Sequence, residues 1–452
     1  MLRGLYTLLL RLLVPWVCAT LWWRGRRHPG RRVDLRERLG RSAGVLARGQ
    51  APVWIHAVSV GEVQAAAQLI ALLAARDPRQ PLLLTMATAT GRQRASTLYA
   101  SYLQAEGDGP PLLQLRYAPF DLPGAVARFL DEVRPCAGLI LEAELWPNLL
   151  RACARRGLPI AMVSARLSAR SQRRYRSFAR GLMQRSLRGL TLIATQTAAD
   201  AQRFIELGAP ADRVQVAGNL KFDLPLPADL LQQAGRLRQQ CLGERRLWVA
   251  GSTHAGEDEQ LLAAHQLLCA GSAAGQGPLL VLAPRHPERF AAVAQLLERS
   301  GLDFVRYSDG DRATAAHSAQ VLLLDTLGDL LTFYACCEVA FVGGSLVPLG
   351  GHNLLEPAAL GKPVLSGPAY FSAPEAARLL LDCGALQVVA DASALAAVLH
   401  QCFADPQAAS RRGAAGLAVI EANRGAAART VALLQAQGLL PALAAAGLTT
   451  VA

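Results

Sequence analysis

Several carboxylates in the first half of the sequence follow apolar runs that are typical of buried strands, and parallel sheets bind ligands at the carboxyl ends of their strands. Glu62 closes the stretch HAVSVGE, which lies between the apolar run 53–55 and a predicted helix. A helix N-terminus stabilises negative charge, so we expect the pKa of Glu62 to be lowered and its side chain to be ionised at neutral pH. Glu62 is therefore either a helix-start residue or a general base.

Three further stretches of the first half also follow predicted strands. LEAELWPN places Glu142 and Glu144 at a strand end, on the same side of the chain if the alternation of a strand continues through them. ARLSARS (residues 165–171) supplies cations, and GNLKFD places Lys221 just before a linker. Each stretch alone is compatible with helix capping or ion pairing, but four at the strand ends of one sheet indicate a functional site.

The second half contains a glycine-rich turn, GGSLVPLGGHNLLEPAALGKPV (residues 343–364), between a strand and a helix. Its glycines permit close approach of the backbone to a ligand, and Asn353 can cap a helix whose N-terminus suits a phosphate. Glu356, one turn further along, can accept hydrogen bonds from two ribose hydroxyls. The alternative interpretation is a glycine-rich turn with purely structural caps.

Three other predicted strand ends of the second half carry small, cationic or hydrogen-bonding residues, namely GSTH (251–254), PRHP (284–287) and DTLGD (325–329). Together with the glycine-rich turn they indicate a nucleotide pocket. The sequence contains no GxGxxG or Walker pattern, which argues against dinucleotide redox chemistry and ATP hydrolysis. DGD (309–311) has only the form of a metal-binding DxD, and we interpret it as a solvated turn.

The elements that must position these residues are two series of strands alternating with helices, joined by the linker LPLPADL (residues 224–230). Buried apolar runs in this arrangement predict parallel sheets with helices on both faces. We therefore predict an α/β protein with two doubly wound, Rossmann-like domains, residues 25–225 and 226–452. Ligands should bind at the carboxyl ends of the strands and in the cleft that the domains face.

The N-terminal residues 1–24 are predicted to be a membrane anchor, because residues 5–23 are apolar apart from Arg11 and a few small polar residues. About 19 such residues just span a bilayer, but a central arginine is costly there, so a spanning helix and an interfacial helix both remain open. An ordinary buried helix is less consistent with the arginines at positions 24, 26, 27, 31 and 32. These arginines favour a cytoplasmic location of the chain beyond the anchor.

The net charge of +13 is concentrated in the first half of the chain. Through Pro225 there are 32 Lys and Arg against 15 Asp and Glu, whereas the remainder has 15 against 19. Such asymmetry indicates an extended anionic partner, either nucleic acid or an acidic membrane surface. Basic and aromatic residues rarely alternate, which argues against nucleic acid. The nine cysteines include no CxxC pair, which indicates reduced thiols rather than a disulfide framework or zinc site.

The motifs occur in an order and spacing that closely resemble the 3-deoxy-D-manno-octulosonic acid (Kdo) transferases of Gram-negative bacteria. The resemblance covers nearly the whole chain and rests on HAVSVGE, EAELWPN, ARLSARS, GNLKFD, GSTHAGE, PRHPERF and GGSLVPLGGHNLLEPAA. It departs from the family pattern at Ala143, where Thr or Ser is usual, and at Leu354 and Pro357. The resemblance implies a GT-B fold, an inner-membrane location with the catalytic domains on the cytoplasmic side, CMP-Kdo as donor and lipid IVA as acceptor.

The resemblance also implies roles for individual residues. Glu62 would be the general base, while Glu142 and Lys221 would support the transition state of an inverting transfer. Residues 25–225 would bind the acceptor and residues 226–452 would bind CMP-Kdo. The CMP-binding positions would be Pro284, Arg285, Leu327, Gly328, Asp329, Asn353, Leu354, Leu355 and Glu356.

No metal or cofactor is implied, since fixed cations and helix dipoles can neutralise a single leaving phosphate. The expected partners are CMP-Kdo, lipid IVA and anionic inner-membrane lipids, without nucleic acid. Two alternatives stay open, a UDP-sugar-dependent GT-B enzyme and a non-catalytic, membrane-attached protein that binds anionic lipids.

Overall fold

The computed structural model describes residues 2–27, 33–41, 51–104, 111–243, 245–270, 277–309 and 319–441. The chain divides into two units, Met1–Pro225 with Asn423–Ala452, and Leu226–Ala422. The C-terminal segment therefore belongs to the first unit, whereas the sequence analysis assigned 226–452 to the second domain. Arg31, Arg32 and most of the DGD stretch lie outside the described residues.

The sheet of the first unit is built from short, continuous apolar runs, and most of its strands are buried along their whole length. The strands are β1 (Val53–His56), β2 (Leu82–Met86), β3 (Leu113–Tyr117), β4 (Ala137–Leu141), β5 (Ile160–Ala165), β6 (Leu192–Thr195) and β7 (Val214–Val216). Neighbouring strands pair in parallel, in the order β3-β2-β1-β4-β5-β6-β7.

Helices connect these strands and cover both faces of the sheet. They are α1 (Leu2–Arg27), α2 (Leu35–Arg38), α3 (Val60–Ala65), α4 (Ala67–Arg76), α5 (Ala89–Leu98), α6 (Pro123–Val133), α7 (Pro147–Arg155), α8 (Ala169–Phe178), α9 (Arg180–Arg188) and α10 (Ala198–Leu207). One apolar core lies on each face of the sheet, because alternate residues of β1 contribute to different cores: Val53 and Ile55 to one, Trp54 to the other.

The second unit repeats this architecture. Its strands are β8 (Leu247–Thr253), β9 (Leu279–Pro284), β10 (Phe304–Arg306), β11 (Val321–Leu323), β12 (Val339–Val342), β13 (Val364–Ser366) and β14 (Leu386–Val388). They form a parallel sheet in the order β10-β11-β9-β8-β12-β13-β14. Its helices are α11 (Leu230–Leu237), α12 (Asp258–Cys269), α13 (Phe290–Ser300), α14 (Leu330–Cys336), α15 (Leu355–Ala359), α16 (Pro374–Asp382), α17 (Ala392–Ala404) and α18 (Pro406–Asn423).

In each sheet the strands that follow the first strand of the unit are added first on one side of it and then on the other. In the first unit β2 lies on one side of β1 and β4 on the other, and in the second unit β9 and β12 flank β8 in the same way. Loops that leave such neighbouring strands turn to opposite faces of the sheet and open a crevice at the carboxyl ends. The motifs HAVSVGE and EAELWPN follow β1 and β4, and GSTHAGE and the glycine-rich turn follow β8 and β12.

The last helix, α19 (Ala426–Ala436), explains why the C-terminal segment belongs to the first unit. Asp223 accepts hydrogen bonds from the backbone N–H groups of Gly425 and Ala427, both at 2.6 Å, so its carboxylate caps the N-terminus of α19. Leu434 is buried in the same core as β1, β2 and β4. The Asp223 of GNLKFD thus joins residues that are about 200 positions apart in the chain.

Candidate active site

Glu62 lies in the first turn of α3, in a capping box formed by the pattern Ser59-x-x-Glu62. The hydroxyl of Ser59 accepts from the Glu62 N–H at 3.3 Å and donates to Glu62 Oε1 at 2.9 Å. The N–H of Val58 donates to Glu62 Oε2 at 2.8 Å. The helix-start interpretation of Glu62 is therefore structurally correct, and these bonds hold its carboxylate in one orientation.

The expected lowering of the pKa of Glu62 is wrong. Glu62 is only 7% exposed, and burial is the main reason why its pKa is raised from 4.5 to about 7. The negative charges of Glu142 and Glu144 act in the same direction, while the hydrogen bonds from Val58 and Ser59 oppose the shift. At neutral pH this carboxyl group is close to half-ionised, which is the condition for exchanging a proton.

Glu142 is a second carboxylate at the carboxyl edge of the first sheet, directly after the end of β4. Strand β4 ends at Leu141, and Glu142 has a positive φ of 54°, so the expected strand alternation through Glu144 does not occur. A left-handed backbone at a residue other than glycine is strained, and such strain concentrates at functional sites. The turn directs Glu142 Oε1 to within 2.5 Å of Lys221 Nζ. Glu142 and Lys221, the two residues expected to support the transition state, thus form an ion pair.

Glu144 is fixed by the aromatic residue of the same loop. The indole N–H of Trp146 donates to Glu144 Oε2 at 2.7 Å, and burial raises the pKa of Glu144. The Trp146 ring packs edge-on against His56, with 4.8 Å between ring centroids. His56 is fully buried, and burial lowers its pKa to about 3, so the imidazole is neutral. The ends of β1 and β4 are therefore linked by direct side-chain contact.

Strand β5 contributes the support for Lys221. Ser164 has a positive φ of 51° at an irregularity near the end of β5, and its hydroxyl accepts from the Leu220 N–H at 3.3 Å. Asn219 accepts from the Lys221 N–H at 3.0 Å and so fixes the short turn that carries the lysine. Arg166 of ARLSARS directly follows β5, and within the described residues it forms no ion pair with Glu62, Glu142 or Glu144.

In the second unit, the backbone N–H groups of the glycine-rich turn are already occupied. Glu257 of GSTHAGE is fully buried and accepts from the N–H groups of Gly344, Ser345 and Leu346, at 2.7, 3.0 and 2.9 Å. We expected the backbone of this turn to approach a ligand closely, but the N–H groups of residues 344–346 bind a carboxylate of the protein itself. The function of Glu257 is to hold the end of β12 against the end of β8.

His352 of this turn lies in a group of three histidines with His254 and His286. His254 Nε2 lies 2.7 Å from His352 Nε2, and the His254 and His286 rings are 5.5 Å apart. Burial lowers the pKa of His254 to about 4 and that of His352 to about 3, and the nearby positive charge of Arg285 acts in the same direction on both. These imidazoles are neutral at physiological pH and can each donate or accept a hydrogen bond. Among the described residues no cluster of His, Cys, Asp or Glu has the arrangement of a metal site.

Asn353 and Glu356 are in contact, as their spacing at one helix turn predicts. Asn353 Nδ2 donates to Glu356 Oε1 at 3.0 Å, and Asn353 Oδ1 accepts from the Leu355 N–H at 3.1 Å. Asn353 therefore binds the first N–H of α15 from the position before its N-cap, Leu354, but that helix has only five residues and a correspondingly small dipole. The side chains of Leu354 and Leu355 are buried, so only their backbone can meet a ligand.

The remaining positions predicted to bind CMP lie at the ends of β9 and β11. Pro284 is the buried last residue of β9, and the Arg285 N–H donates to Thr253 O at 3.0 Å. Leu327 is 72% exposed, Gly328 has a positive φ of 103°, and Asp329 accepts from the Thr326 hydroxyl at 2.6 Å. These residues therefore lie at the carboxyl edge of the second sheet, the same edge as the glycine-rich turn.

Comparison with known proteins decides the family. Residues 33–224 match the family described as 3-deoxy-D-manno-octulosonic-acid transferase (kdotransferase). The chain is 40% identical over 435 residues to the 3-deoxy-D-manno-octulosonic acid transferase of Bordetella pertussis, an alignment that covers 96% of this chain and 99% of that protein. It is 36% identical over 434 residues to the enzyme of the same name from Haemophilus influenzae, covering 96% and 98%. The chain belongs to the Kdo transferase family.

The fold of this Kdo transferase is also found in solved structures. UDP-GlcNAc 2-epimerase from Neisseria meningitidis, bound to UDP-GlcNAc, aligns with a TM-score of 0.54 at 13% identity, over 85% of this chain and 100% of that one. Identity this low shows the fold alone. Two parallel seven-stranded sheets in an α/β arrangement, together with this likeness, confirm the predicted GT-B-type fold.

Sequence reasoning missed three residues that organise the Kdo transferase site. Glu257 and Asp223 stand inside motifs that were recognised, but their partners lie far away in the chain. Asp121 belongs to no recognised motif, although it binds the backbone of Asn148 in EAELWPN. The only local signal for Asp121 is its position two residues before Pro123, the first residue of α6. That position suggests a cap of α6. Asp121 instead binds the N-terminus of α7.

Proposed function

We propose that this protein transfers Kdo from CMP-Kdo to a glucosamine hydroxyl of lipid IVA with inversion of the anomeric configuration. In this reaction the acceptor oxygen forms a bond to the anomeric carbon while the bond from that carbon to the phosphate of CMP breaks. The electron pair of the broken bond leaves with the phosphate, and the hydroxyl proton passes to a base. Membership of the Kdo transferase family supports the transferred sugar.

Glu62 is the proposed base, and its environment is the single observation that carries this assignment. A buried carboxyl group with a pKa of about 7 is ionised in a large fraction of molecules at neutral pH and is a stronger base than an ordinary glutamate. The hydrogen bonds from Val58 and Ser59 fix its orientation, which is the other requirement for proton transfer. Capping and catalysis are thus compatible functions of the same side chain.

Glu142 and Lys221 are the proposed electrostatic pair. An oxocarbenium-like transition state is positive at the anomeric carbon and negative at the departing phosphate, so a carboxylate and an ammonium group 2.5 Å apart can serve the two charges. The pair is partly exposed, with 32% of the Lys221 side chain and 23% of the Glu142 side chain accessible. Substrate can therefore reach both groups.

The donor is proposed to bind at the carboxyl edge of the second sheet. Glu356, held by Asn353, suits the ribose hydroxyls, and Arg285 with the loop of Leu327 and Gly328 suits the phosphate and base. The neutral imidazoles of His254 and His352 add hydrogen-bonding groups that need no counter-ion. Catalysis with fixed cations of the protein is consistent with a leaving group of one phosphate.

The acceptor and the membrane are proposed to meet the first unit. Helix α1 is long and apolar enough to cross a membrane by length and composition. Its outward face is mostly apolar, with Arg11 as a charged exception and exposed apolar side chains at Leu5, Leu8, Leu9, Leu12, Leu13, Trp16, Trp22 and Trp23. Helices α8 and α9 of the same unit expose Arg170, Arg173, Arg174, Arg176, Arg180, Arg185 and Arg188. Apolar and basic surfaces of this kind favour an interfacial position at an anionic inner membrane, with the catalytic residues on the cytoplasmic side.

One assay tests the function. Purified full-length protein is incubated with lipid IVA in detergent and with either CMP-Kdo or a UDP-sugar, and the masses of the lipid products are measured by mass spectrometry. A mass increase of one or more Kdo units with CMP-Kdo alone is the expected result, and Glu62→Gln should abolish it. A product with the UDP-sugar instead, or lipid binding without any product, would replace the proposal by one of the two alternatives.

A further inference from the structure

Helix α1 is hydrogen-bonded to the loop of residues 142–148, which contains Glu142 and Glu144. We call this loop the carboxylate loop. The Arg3 guanidinium donates to Asn148 Oδ1 at 3.2 Å, and the Thr7 hydroxyl lies within hydrogen-bonding distance of the same amide, 3.2 Å from Oδ1 and 3.1 Å from Nδ2. Asn148 is only 3% exposed. Removing the hydrogen-bond partners of a buried amide lowers the stability of the fold, because the amide is then left unsatisfied.

Asp121 extends the contact to the backbone at the end of the loop. Its carboxylate accepts from the N–H groups of Asn148 and Leu149, at 3.1 and 2.7 Å, and from the Tyr6 hydroxyl at 2.9 Å. Asn148 Nδ2 in turn donates to Asp121 O at 2.7 Å. Trp146, the N-cap of α7, makes no capping bond, so Asp121 supplies the cap from another part of the chain and Tyr6 orients it.

The polarity of α1 is the reverse of an ordinary surface helix. The residues that face the protein include the polar Arg3, Tyr6 and Thr7, at helical spacing with the buried Val14. Most residues that face outward are apolar, and Arg11 is the charged exception in the middle of the helix. Membrane attachment alone requires only the apolar face of α1. It does not require hydrogen bonds from the helix to a buried loop.

The contacts continue from the loop to the proposed catalytic residues. Asn148 lies two positions after Trp146, whose indole N–H holds Glu144 at 2.7 Å and whose ring packs on His56. Glu144 and Glu142 are the two carboxylates whose charges act on Glu62. A shift of Asn148 therefore reaches the proposed base through Trp146 and Glu144.

We infer that α1 is a positioning element of the active site and that Tyr6 and Thr7 are positioning residues for the carboxylate loop. The membrane-facing helix thus has a second function besides attachment. Release or rearrangement of α1 would remove the bonds of Tyr6 to Asp121 and of Arg3 and Thr7 to Asn148 and would loosen the loop, so catalytic geometry depends on the docking of the helix. The expected effect of α1 release on turnover rests on the proposed function of the loop carboxylates. The expected effect on the order of the loop does not depend on that function.

The test uses the full-length double variant Tyr6→Phe/Thr7→Val, which keeps the shape of both side chains and removes their hydroxyls. Thr20→Val is the matched control, because Thr20 lies in the same helix and its hydroxyl bonds only to Trp16 O, within α1. Transfer is measured with a detergent-dispersed acceptor, so that membrane recruitment does not enter, and hydrogen exchange is measured for peptides covering residues 142–149.

For the double variant we expect kcat to fall about 10- to 100-fold, the usual consequence of a displaced catalytic group, with the KM for CMP-Kdo unchanged. Amide exchange in the carboxylate loop should become faster, while exchange in β12 stays as in the wild type. Thr20→Val should change neither. A double variant with kcat and loop exchange within about twofold of wild type would show that α1 is only an anchor.

The two proposals fail differently. A wild-type protein without transfer activity contradicts the proposed function, and the exchange of residues 142–149 then still decides the inference about α1. A lower melting temperature with uniformly faster exchange would mean global destabilisation and would also overturn it. Tyr6→Phe alone, which removes one oxygen, should give a smaller change of the same pattern.

Discussion

Replacing Glu62 by glutamine should change activity and stability in opposite directions. Glutamine has nearly the same shape as glutamate, and its amide oxygen can still accept from the Val58 N–H, so most of the capping box is kept. The substitution removes the ionisable group. The loss of a general base lowers turnover by about 100-fold or more. The effect on stability depends on the pKa.

The pKa of Glu62 is raised from 4.5 to about 7 in the folded protein, so the fold binds the proton more tightly than the unfolded chain does. Ionised Glu62 therefore destabilises the fold: this cost is absent below pH 4.5, grows as the pH rises, and is complete above about pH 7. The shift corresponds to about 3 kcal/mol at about 1.36 kcal/mol for each pH unit. Glutamine stays neutral, and its weaker capping costs less than about 1 kcal/mol.

We therefore expect Glu62→Gln to be more stable than wild type at about pH 8, by about 2 kcal/mol, and equal or slightly less stable at about pH 4.5. Denaturant unfolding at the two pH values measures this. Asp391→Asn is the control, because Asp391 is an exposed N-cap and asparagine caps as well as aspartate. A Glu62→Gln variant that is destabilised equally at both pH values would refute the raised pKa, and near-normal turnover would reduce Glu62 to a helix cap.

Three other predictions concern the groups around Glu62 and the donor site. Wild-type kcat/KM should rise with pH through about 7, and Glu142→Gln should move this limb to lower pH, because the charge of Glu142 helps to raise the pKa of Glu62. Lys221→Met should reduce turnover about 100-fold or more, while the free energy of unfolding should change by only about 1 kcal/mol, because the pair is partly exposed to solvent. Glu356→Ala should weaken CMP binding by roughly 1.5–3 kcal/mol in calorimetry.

Each of these has a result that contradicts it. An acidic limb that stays in place in Glu142→Gln would separate Glu142 from the titration of Glu62. A Lys221→Met variant that loses stability in proportion to activity would indicate a structural ion pair. Unchanged CMP affinity in Glu356→Ala would leave Glu356 as a partner of Asn353 and nothing more.

Most of the fold could be predicted from local sequence because the central strands of a parallel sheet are continuous apolar runs. The sequence contains thirteen such runs, six in the first half and seven in the second, and all coincide with strands, whereas β7, Val-Gln-Val, was missed. β7 has three residues at the edge of the sheet, and Gln215 interrupts its apolar character. Local periodicity carries little information about so short an edge strand.

The motifs of the site could be found from the sequence, but the environment of their side chains could not. The pKa of Glu62 depends on burial and on Glu142, which is 80 positions away, and a helix-start pattern alone predicts a shift of the opposite sign. The same limit applies to Glu257, which occupies the N–H groups of residues 344–346. A glycine-rich turn resembles an open ligand site until its internal partner is known.

The arrangement of charges in the first unit gives the three carboxylates different electrostatic environments. Folding brings Glu62, Glu142 and Glu144 to adjacent strand ends, and like charges at short range oppose the ionisation of one another. Lys221 compensates Glu142 at 2.5 Å, and the Trp146 indole donates to Glu144, but in the part of the chain that the structure describes Glu62 has hydrogen-bond donors and no cation. Burial without a cation raises the pKa of Glu62 to about 7, which suits a group that must take up a proton at neutral pH.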